Sequence, residues 1–319
     1  MHPFYLPILL FAFGIALVVK GGNLFVDAAR WISDVTHIPR FIIGATVVSL
    51  ATALPEMLVS LIATLKGSVG MGVGSAIGSV SANLGLTMGA CLLLMPASRV
   101  DKILQDKALL MLGSTLVLWV LCLDGRLTVA EGLVLMGLLA VFIFTSIIGL
   151  RTGARQSPAH PYCVTRGEAA LHLFKFAAGT AGILWGAQLL VDNGTRLARI
   201  LGVPQRVIGI TLIAVGTSLP ELITAAAALS KNEAALSVGN ILGACTIDIT
   251  LILAACAFVT PGGLPVDPQT IGLSLPVTLV LMGIAVLPPL LSSCFYRIQG
   301  LIMLAAYMGY LAVIAAGTG

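Results

Sequence analysis

A proline followed by an ionisable carboxyl stands in the middle of an apolar run at Ala51-Thr52-Ala53-Leu54-Pro55-Glu56. The phrase recurs in a second apolar run as Gly216-Thr217-Ser218-Leu219-Pro220-Glu221. A carboxylate among residues suited to lipid is expensive, so it points to function before it points to structure. The composition makes that cost real: 58% of the 319 residues are hydrophobic, 9% are charged, and the mean hydropathy is +1.07. Such a chain cannot be a soluble domain with an ordinary core. Ten runs, at 4–25, 38–65, 70–96, 106–123, 127–150, 167–190, 204–229, 235–259, 269–290 and 295–316, are long enough to cross a bilayer. At about 20 residues each they suit helices and not barrel strands. The first run lacks a basic leader and flows on into Gly21 to Trp31, so it reads as a span and not as a cleaved signal peptide.

The phrase is one part of a longer repetition. Shifting the chain against itself by 165 residues aligns Val26-Asp27 with Val191-Asp192, Pro39 with Pro204, Ile43-Gly44 with Ile208-Gly209 and Thr46 with Thr211. The register continues through Lys66 with Lys231, Val73-Gly74 with Val238-Gly239, and Gly78 with Gly243. The expected organisation is a first repeat at 1–150, a short cytoplasmic linker at 151–166 that holds the best polar stretch, and a second repeat at 167–319. Five spans per repeat is an odd number, so the second copy enters the membrane from the opposite side. The fold class expected is therefore all-α and polytopic: ten transmembrane helices as two inverted five-helix repeats. Inverted repeats with interrupted helices at matching places point to a secondary transporter with its site near the midplane.

The motif chemistry points to a cation. Each proline removes a backbone donor and crowds a carbonyl one turn earlier, near Val48 to Ala51 and Ile213 to Gly216, and those oxygens need partners in lipid. Carbonyls, a Thr hydroxyl and a carboxylate within one turn are ligands for a hard cation. Two converging carboxylates repel by several kcal/mol at an effective dielectric constant of about 20, so they require a divalent ion, two monovalent ions or protons. Calcium takes about 6 to 8 oxygens in tolerant geometry, whereas transition metals favour His or Cys, which the motifs lack. The third span of each repeat adds a second phrase, Gly74 to Asn83 and Gly239 to Asp248. Its glycines four apart form a close-packing face, and Asn83 and Asp248 follow at equivalent positions where they would border the same cavity.

The paired T-x-L-P-E and G-x-x-x-G-[SA]-x-x-x-[ND] motifs, their inverted duplication and the ten-span count resemble the calcium/cation antiporter superfamily, in particular its prokaryotic sodium/calcium exchanger branch. The similarity covers nearly the whole chain. It implies a secondary active antiporter moving calcium against sodium by alternating access, with a calcium/proton or potassium-dependent antiporter as the alternative. It also implies site roles. Glu56 and Glu221 would be shared ligands of calcium and sodium, and Thr52 and Thr217 would add backbone and hydroxyl oxygens. Ser79 and Ser218 would line sodium sites, Ser49 and Ala214 would offer carbonyls, and Asn83 and Asp248 would sit centrally. The first and sixth spans, long and carrying Gly21-Gly22 and Gly186, would slide across a core made by the second, third, seventh and eighth. A functional monomer in the prokaryotic inner membrane is implied, with no cofactor beyond the transported ions. The chain departs from the family pattern at Ala53 and Ala244, where Ser is common, so each repeat lacks one hydroxyl.

Other features read more plainly. The six cysteines form no C-x-x-C pair and fall mostly in apolar runs, so neither a disulfide framework nor a zinc site is indicated. The net charge of +4 is scattered singly through short loops and forms no nucleic-acid stripe; no nucleic-acid partner is expected. Placing the loop of Arg151, Arg155 and Arg166 in the cytoplasm puts ten basic residues on that side against five opposite, with both termini outside. Asp27 and Asp192 match across the repeats but lie near span ends, where capping or water accounts for them. A channel would use a ring of acids in place of a twofold pair. A hydrolase would need two carboxyls in unlike surroundings, whereas these lie in like ones, so no enzyme is expected.

Overall fold

The computed structural model describes residues 5–95, 98–153, 165–201 and 218–317. Among these residues ten helical elements follow one another. They are α1 (Tyr5–Thr36), α2 (Arg40–Ile43, Gly44–Val48 and Ser49–Leu65 in one continuous run), and α3 (Val69–Ala82, Asn83–Met88 and Gly89–Leu94). Then come α4 (Lys102–Leu121), α5 (Val129–Gly153), α6 (Arg166–Ile200) and α7 (Leu219–Ser230). The last are α8 (Ala234–Ile247, Asp248–Ile252 and Leu253–Val259), α9 (Thr270–Ser274 and Leu275–Ser292) and α10 (Arg297–Gly317). Nine are long and apolar enough to cross a membrane, and α7 is the described part of the remaining apolar run. The chain is an integral membrane protein.

The inner layer is α8, α3 and α2, the most buried of the spans, while α1, α5, α6 and α10 keep most of their surface outward. Exposed Leu, Ile and Phe side chains on those outer helices are what a lipid-facing surface requires. The close approach of α2 and α8 depends on two glycines, since a methyl at Gly239 would strike the Phe41 and Ala45 backbone and one at Gly243 would strike that of Ala45.

The outer pair α1 and α6 runs antiparallel. A Cβ on Gly14 would meet the Gly186 carbonyl oxygen at 3.1 Å, and one on Gly21 would meet that of Gly179 at 2.9 Å. The offset exchanges these two contacts, because Gly14 corresponds to Gly179 and Gly21 to Gly186. An approximate twofold relation would do the same. Val80 and Cys245, themselves equivalent, touch at the centre, with Sγ 4.0 Å from the Val80 carbonyl oxygen. Two short strand pairs obey the relation as well. β1 (Ser98–Arg99) pairs with β4 (Cys294–Phe295), joining the α3–α4 and α9–α10 connections, and β2 (Arg126–Leu127) pairs with β3 (Leu264–Pro265), joining α4–α5 to α8–α9.

Three expectations change. Pro55 does not break α2: the run Ser49–Leu65 passes straight through it. Proline's fixed φ is a helical one, so the local loss is its own N–H and the partner of the Ala51 carbonyl. The departures from α geometry are instead π segments, at Gly44–Val48 in α2, at Thr270–Ser274 in α9 and, in equivalent places, from Asn83 in α3 and from Asp248 in α8. Such segments recur at functional positions. Secondly, α1 and α6 have 32 and 35 residues and exceed the apolar runs read from sequence. At 1.5 Å per residue they are about 50 Å long, well beyond a hydrocarbon core of about 30 Å. Their polar ends stay helical because each packs on the other, and α6 is capped by Thr165, which accepts from the Glu168 N–H at 3.2 Å. Thirdly, the expected linker is helical as far as Gly153, and 154–164 lie outside the described residues.

Candidate functional site

The polar residues of α2, α3, α7 and α8 lie in one dry layer. Glu56, Glu221, Asp248, Asn83, Ser49, Thr52, Ser79 and Ser218 are all at most 3% exposed. Glu56 on α2 accepts a hydrogen bond at Oε1 from Ser79 Oγ of α3, and Ser79 Oγ is 3.3 Å from Ser218 Oγ, the N-cap position of α7. Glu56 also lies within electrostatic range of Asp248 and Glu221.

What these groups lack is as informative as what they have. Among the described residues nothing pairs with Glu56 Oε2, with either carboxylate oxygen of Glu221 or Asp248, or with either polar atom of Asn83. Among the described residues none of the three acids belongs to an ion pair; the ion pairs found lie at the helix ends. Buried carboxylates without partners are costly, and so are neighbouring like charges in a dry layer. Positive charge from outside the chain relieves both costs. The acids alone do not form a metal cluster: no group of three or more His, Cys, Asp or Glu among the described residues is arranged to hold a metal ion. A cation here would therefore complete its shell with hydroxyl, amide and backbone oxygens, the donor set of a hard ion.

Sequence reasoning passed over two residues. Asn240 donates from Nδ2 to Thr224 Oγ1 at 2.8 Å, and Thr52 Oγ1 donates to Asn240 Oδ1 at 3.4 Å, so α2, α7 and α8 share one buried chain of hydrogen bonds. Asn240 follows Gly239 as Ser75 follows Gly74, a polar position in both repeats that would have revealed it. Thr224 corresponds to Val59, so the duplication gives no signal for it. Thr217 and Ala214 lie outside the described residues.

A cavity of about 660 Å³ reaches Glu56, lined by Leu54, Pro55, Val59 and Pro220 together with Gln188 and Asp192 of α6. Asn83, Asp248 and Glu221 do not line it. It lies towards the end of α2 that carries Lys66. The opposite end is tied shut by charge: Glu233 accepts from Arg40 at 2.6 Å and Arg30 at 2.9 Å, and Lys231 meets Asp27 at 2.7 Å.

Comparison with known proteins gives a consistent result. The sodium/calcium exchanger protein family model matches residues 6–148 and 171–316. The inner membrane protein YrbG of Escherichia coli (strain K12) is 33% identical over 265 residues, covering 80% of each chain. The sodium/calcium exchanger MaX1 of Methanosarcina acetivorans is 26% identical, covering 96% of this chain and 97% of MaX1. The solved sodium-calcium exchanger NCX_Mj, soaked with zero sodium and calcium, superimposes with a TM-score of 0.82 at 30% identity, over 98% of this chain and 99% of that one. The charged layer, the buried glycine contacts and the duplicated frame thus stand in a chain that belongs to the sodium/calcium exchanger protein family.

Proposed function

We infer that the protein is a secondary active antiporter that exchanges calcium for sodium by alternating access. The observation that carries this reading is the layer of buried carboxylates, Glu56, Glu221 and Asp248, with oxygens that have no partner in the protein. In this reading Glu56 and Glu221 hold calcium between the repeats. Asp248 and Asn83 flank it, and Thr52, Thr217, Ser49 and Ala214 complete the shell with hydroxyl and carbonyl oxygens. Ser79 and Ser218 serve sodium beside Glu56. Sodium and calcium compete for the same carboxylates, so neither crosses without displacing the other, and an empty layer is penalised by its own charge. The cavity beside Asp192 reaches Glu56, whereas the one at the end tied by Arg30, Arg40 and Glu233 is lined by no site carboxylate, which supports a conformation open to the site from the Lys66 side. The basic-residue asymmetry makes that the extracytoplasmic side, with both termini there, in the inner membrane. The unit of transport is one chain of two repeats, 1–150 and 167–319.

The test is uptake of radioactive calcium into liposomes that hold the purified protein, under an outward gradient of sodium, of protons or of potassium. Uptake driven by sodium supports the reading. Uptake that follows the proton gradient alone, or requires potassium, replaces it with another coupling ion.

A further inference from the structure

Read along the chain, the two missing hydroxyls fall one in each repeat, Ala53 in the first and Ala244 in the second. The internal repeat, applied to the Ser79–Ser218 contact, puts both on one side. The 165-residue offset carries Ser218 onto Ala53 and Ser79 onto Ala244, so the Ser79–Ser218 contact beside Glu56 has as its counterpart a pair of alanines beside Glu221. Both alanines are buried, at 1% and 0% exposure, and neither has a side-chain oxygen to offer. Near that end the Thr52 hydroxyl lies beside Glu221 and donates to Asn240 and the Ser49 carbonyl, while Thr224 accepts from Asn240 and donates to the Pro220 and Glu221 carbonyls; among the described residues no serine pair stands there. A small monovalent ion enters a dry site only where oxygens replace its water shell. We infer that the exchanger has one hydroxyl-built site for a sodium-sized cation, beside Glu56, and lacks the counterpart beside Glu221. This rests on the reading of the two glutamates as cation ligands.

The experiment follows the sodium dependence of calcium flux in liposomes for the natural chain, for Ala53→Ser with Ala244→Ser, and for Ser79→Ala with Ser218→Ala. The Hill coefficient is bounded by the number of interacting sites, so the first double variant should raise it by about one and the second should lower it by about one. Ala53→Ser alone covers the case in which the fully enclosed Ala244 position does not accept an extra atom. An unchanged slope in all three, with calcium flux intact, overturns the inference and leaves the exchanger reading standing. Absence of any sodium-dependent flux in the natural chain overturns the exchanger reading itself.

A different observation carries a second proposal. Lys231 at the end of α7 contacts two groups of α1, the Asp27 carboxylate at 2.7 Å and the Asn23 carbonyl oxygen, to which it donates at 2.7 Å. The offset maps this set onto Lys66, Asp192 and Gln188. There the set is undone: neither Lys66 nor Asp192 is ion-paired among the described residues, and Gln188 and Asp192 line the open cavity. We propose that the two lysine sets are alternate latches, one closed while the other is open, and that they exchange as α1 and α6 shift together across the inner helices. Labelling of Gln188→Cys by a membrane-impermeant thiol reagent reads the state, in a chain with Cys163→Ser and Cys294→Ser. Lys231→Gln should slow labelling several-fold by freeing the closed latch, Lys66→Gln should speed it, and Asp27→Lys with Lys231→Asp should restore the natural rate. Lysine variants that move the rate in the same direction, or leave it unchanged, overturn the latch; the Lys66→Gln arm decides if Lys231→Gln does not fold.

Discussion

Glu56 and Glu221 occupy the same place in two copies of one motif, yet their surroundings differ. Glu56 receives a hydroxyl from Ser79, stands near Ser218 and is reached by a cavity. Glu221 is fully enclosed, with neither oxygen in a close hydrogen bond, beside a Thr52 hydroxyl that donates to Asn240 and the Ser49 carbonyl. Duplication has preserved the charge and released its neighbours. A divalent ion bound between the repeats draws on both charges, and so holds them in place. A monovalent ion bound at one end draws on local hydroxyls, and each end can drift separately.

The sharpest way to break that comparison is to neutralise each acid in turn. Glu56→Gln and Glu221→Gln should each lower calcium flux by at least about 100-fold, the equivalent of about 3 kcal/mol for one charged ligand. Vesicle uptake measures it, and a single acid whose loss is tolerated would mean that the copies no longer share one ion. Next, Asp248→Asn makes the two repeats alike at the position of Asn83. Calcium affinity by calorimetry should fall about tenfold, roughly 1.4 kcal/mol, while Asn83→Ala should cost less because no charge is lost. An intermediate effect is expected at the α2–α8 contact. Gly243→Val forces apart the backbones meeting there and should cost about 1–3 kcal/mol, lowering the Tm of the detergent-solubilised protein by several degrees. The smallest belongs to the private network beside Glu221. Thr224→Val removes the acceptor of Asn240 and should cost about 1 kcal/mol, visible as a few-fold loss of flux with little change in sodium dependence.

The spans and the duplication were legible because they are written along the chain: apolar length sets the helices, and one offset aligns Asp27 with Asp192 and Lys66 with Lys231. The burial of Glu56 and Glu221 was legible for the same reason, since each sits in a run with no polar exit. Contacts between the repeats were not. An offset states which residues correspond but not which residue of one copy faces which of the other, so the Ser79–Ser218 contact and the one-sided fall of Ala53 and Ala244 required the fold. The reach of α1 and α6 beyond their apolar runs was hidden too, because helix there is sustained by packing on a partner far away in sequence. Pro55 misled in the other direction, since a strong local breaker is tolerated where neighbouring helices hold the frame.

The two small strand pairs bear on biogenesis. Each joins a connection made early in synthesis to one made late, and the β1–β4 pair closes on Cys294 and Phe295, just before the final helix. The first five helices therefore leave the ribosome with strand edges unpaired and Glu56 without Glu221 beside it. A nascent chain in that condition is half of a site held in the bilayer, and it is completed as α7 and α8 follow. The site residues are all in place before α9 and α10 are made, so the β1–β4 clasp fastens a frame whose ion site is already complete.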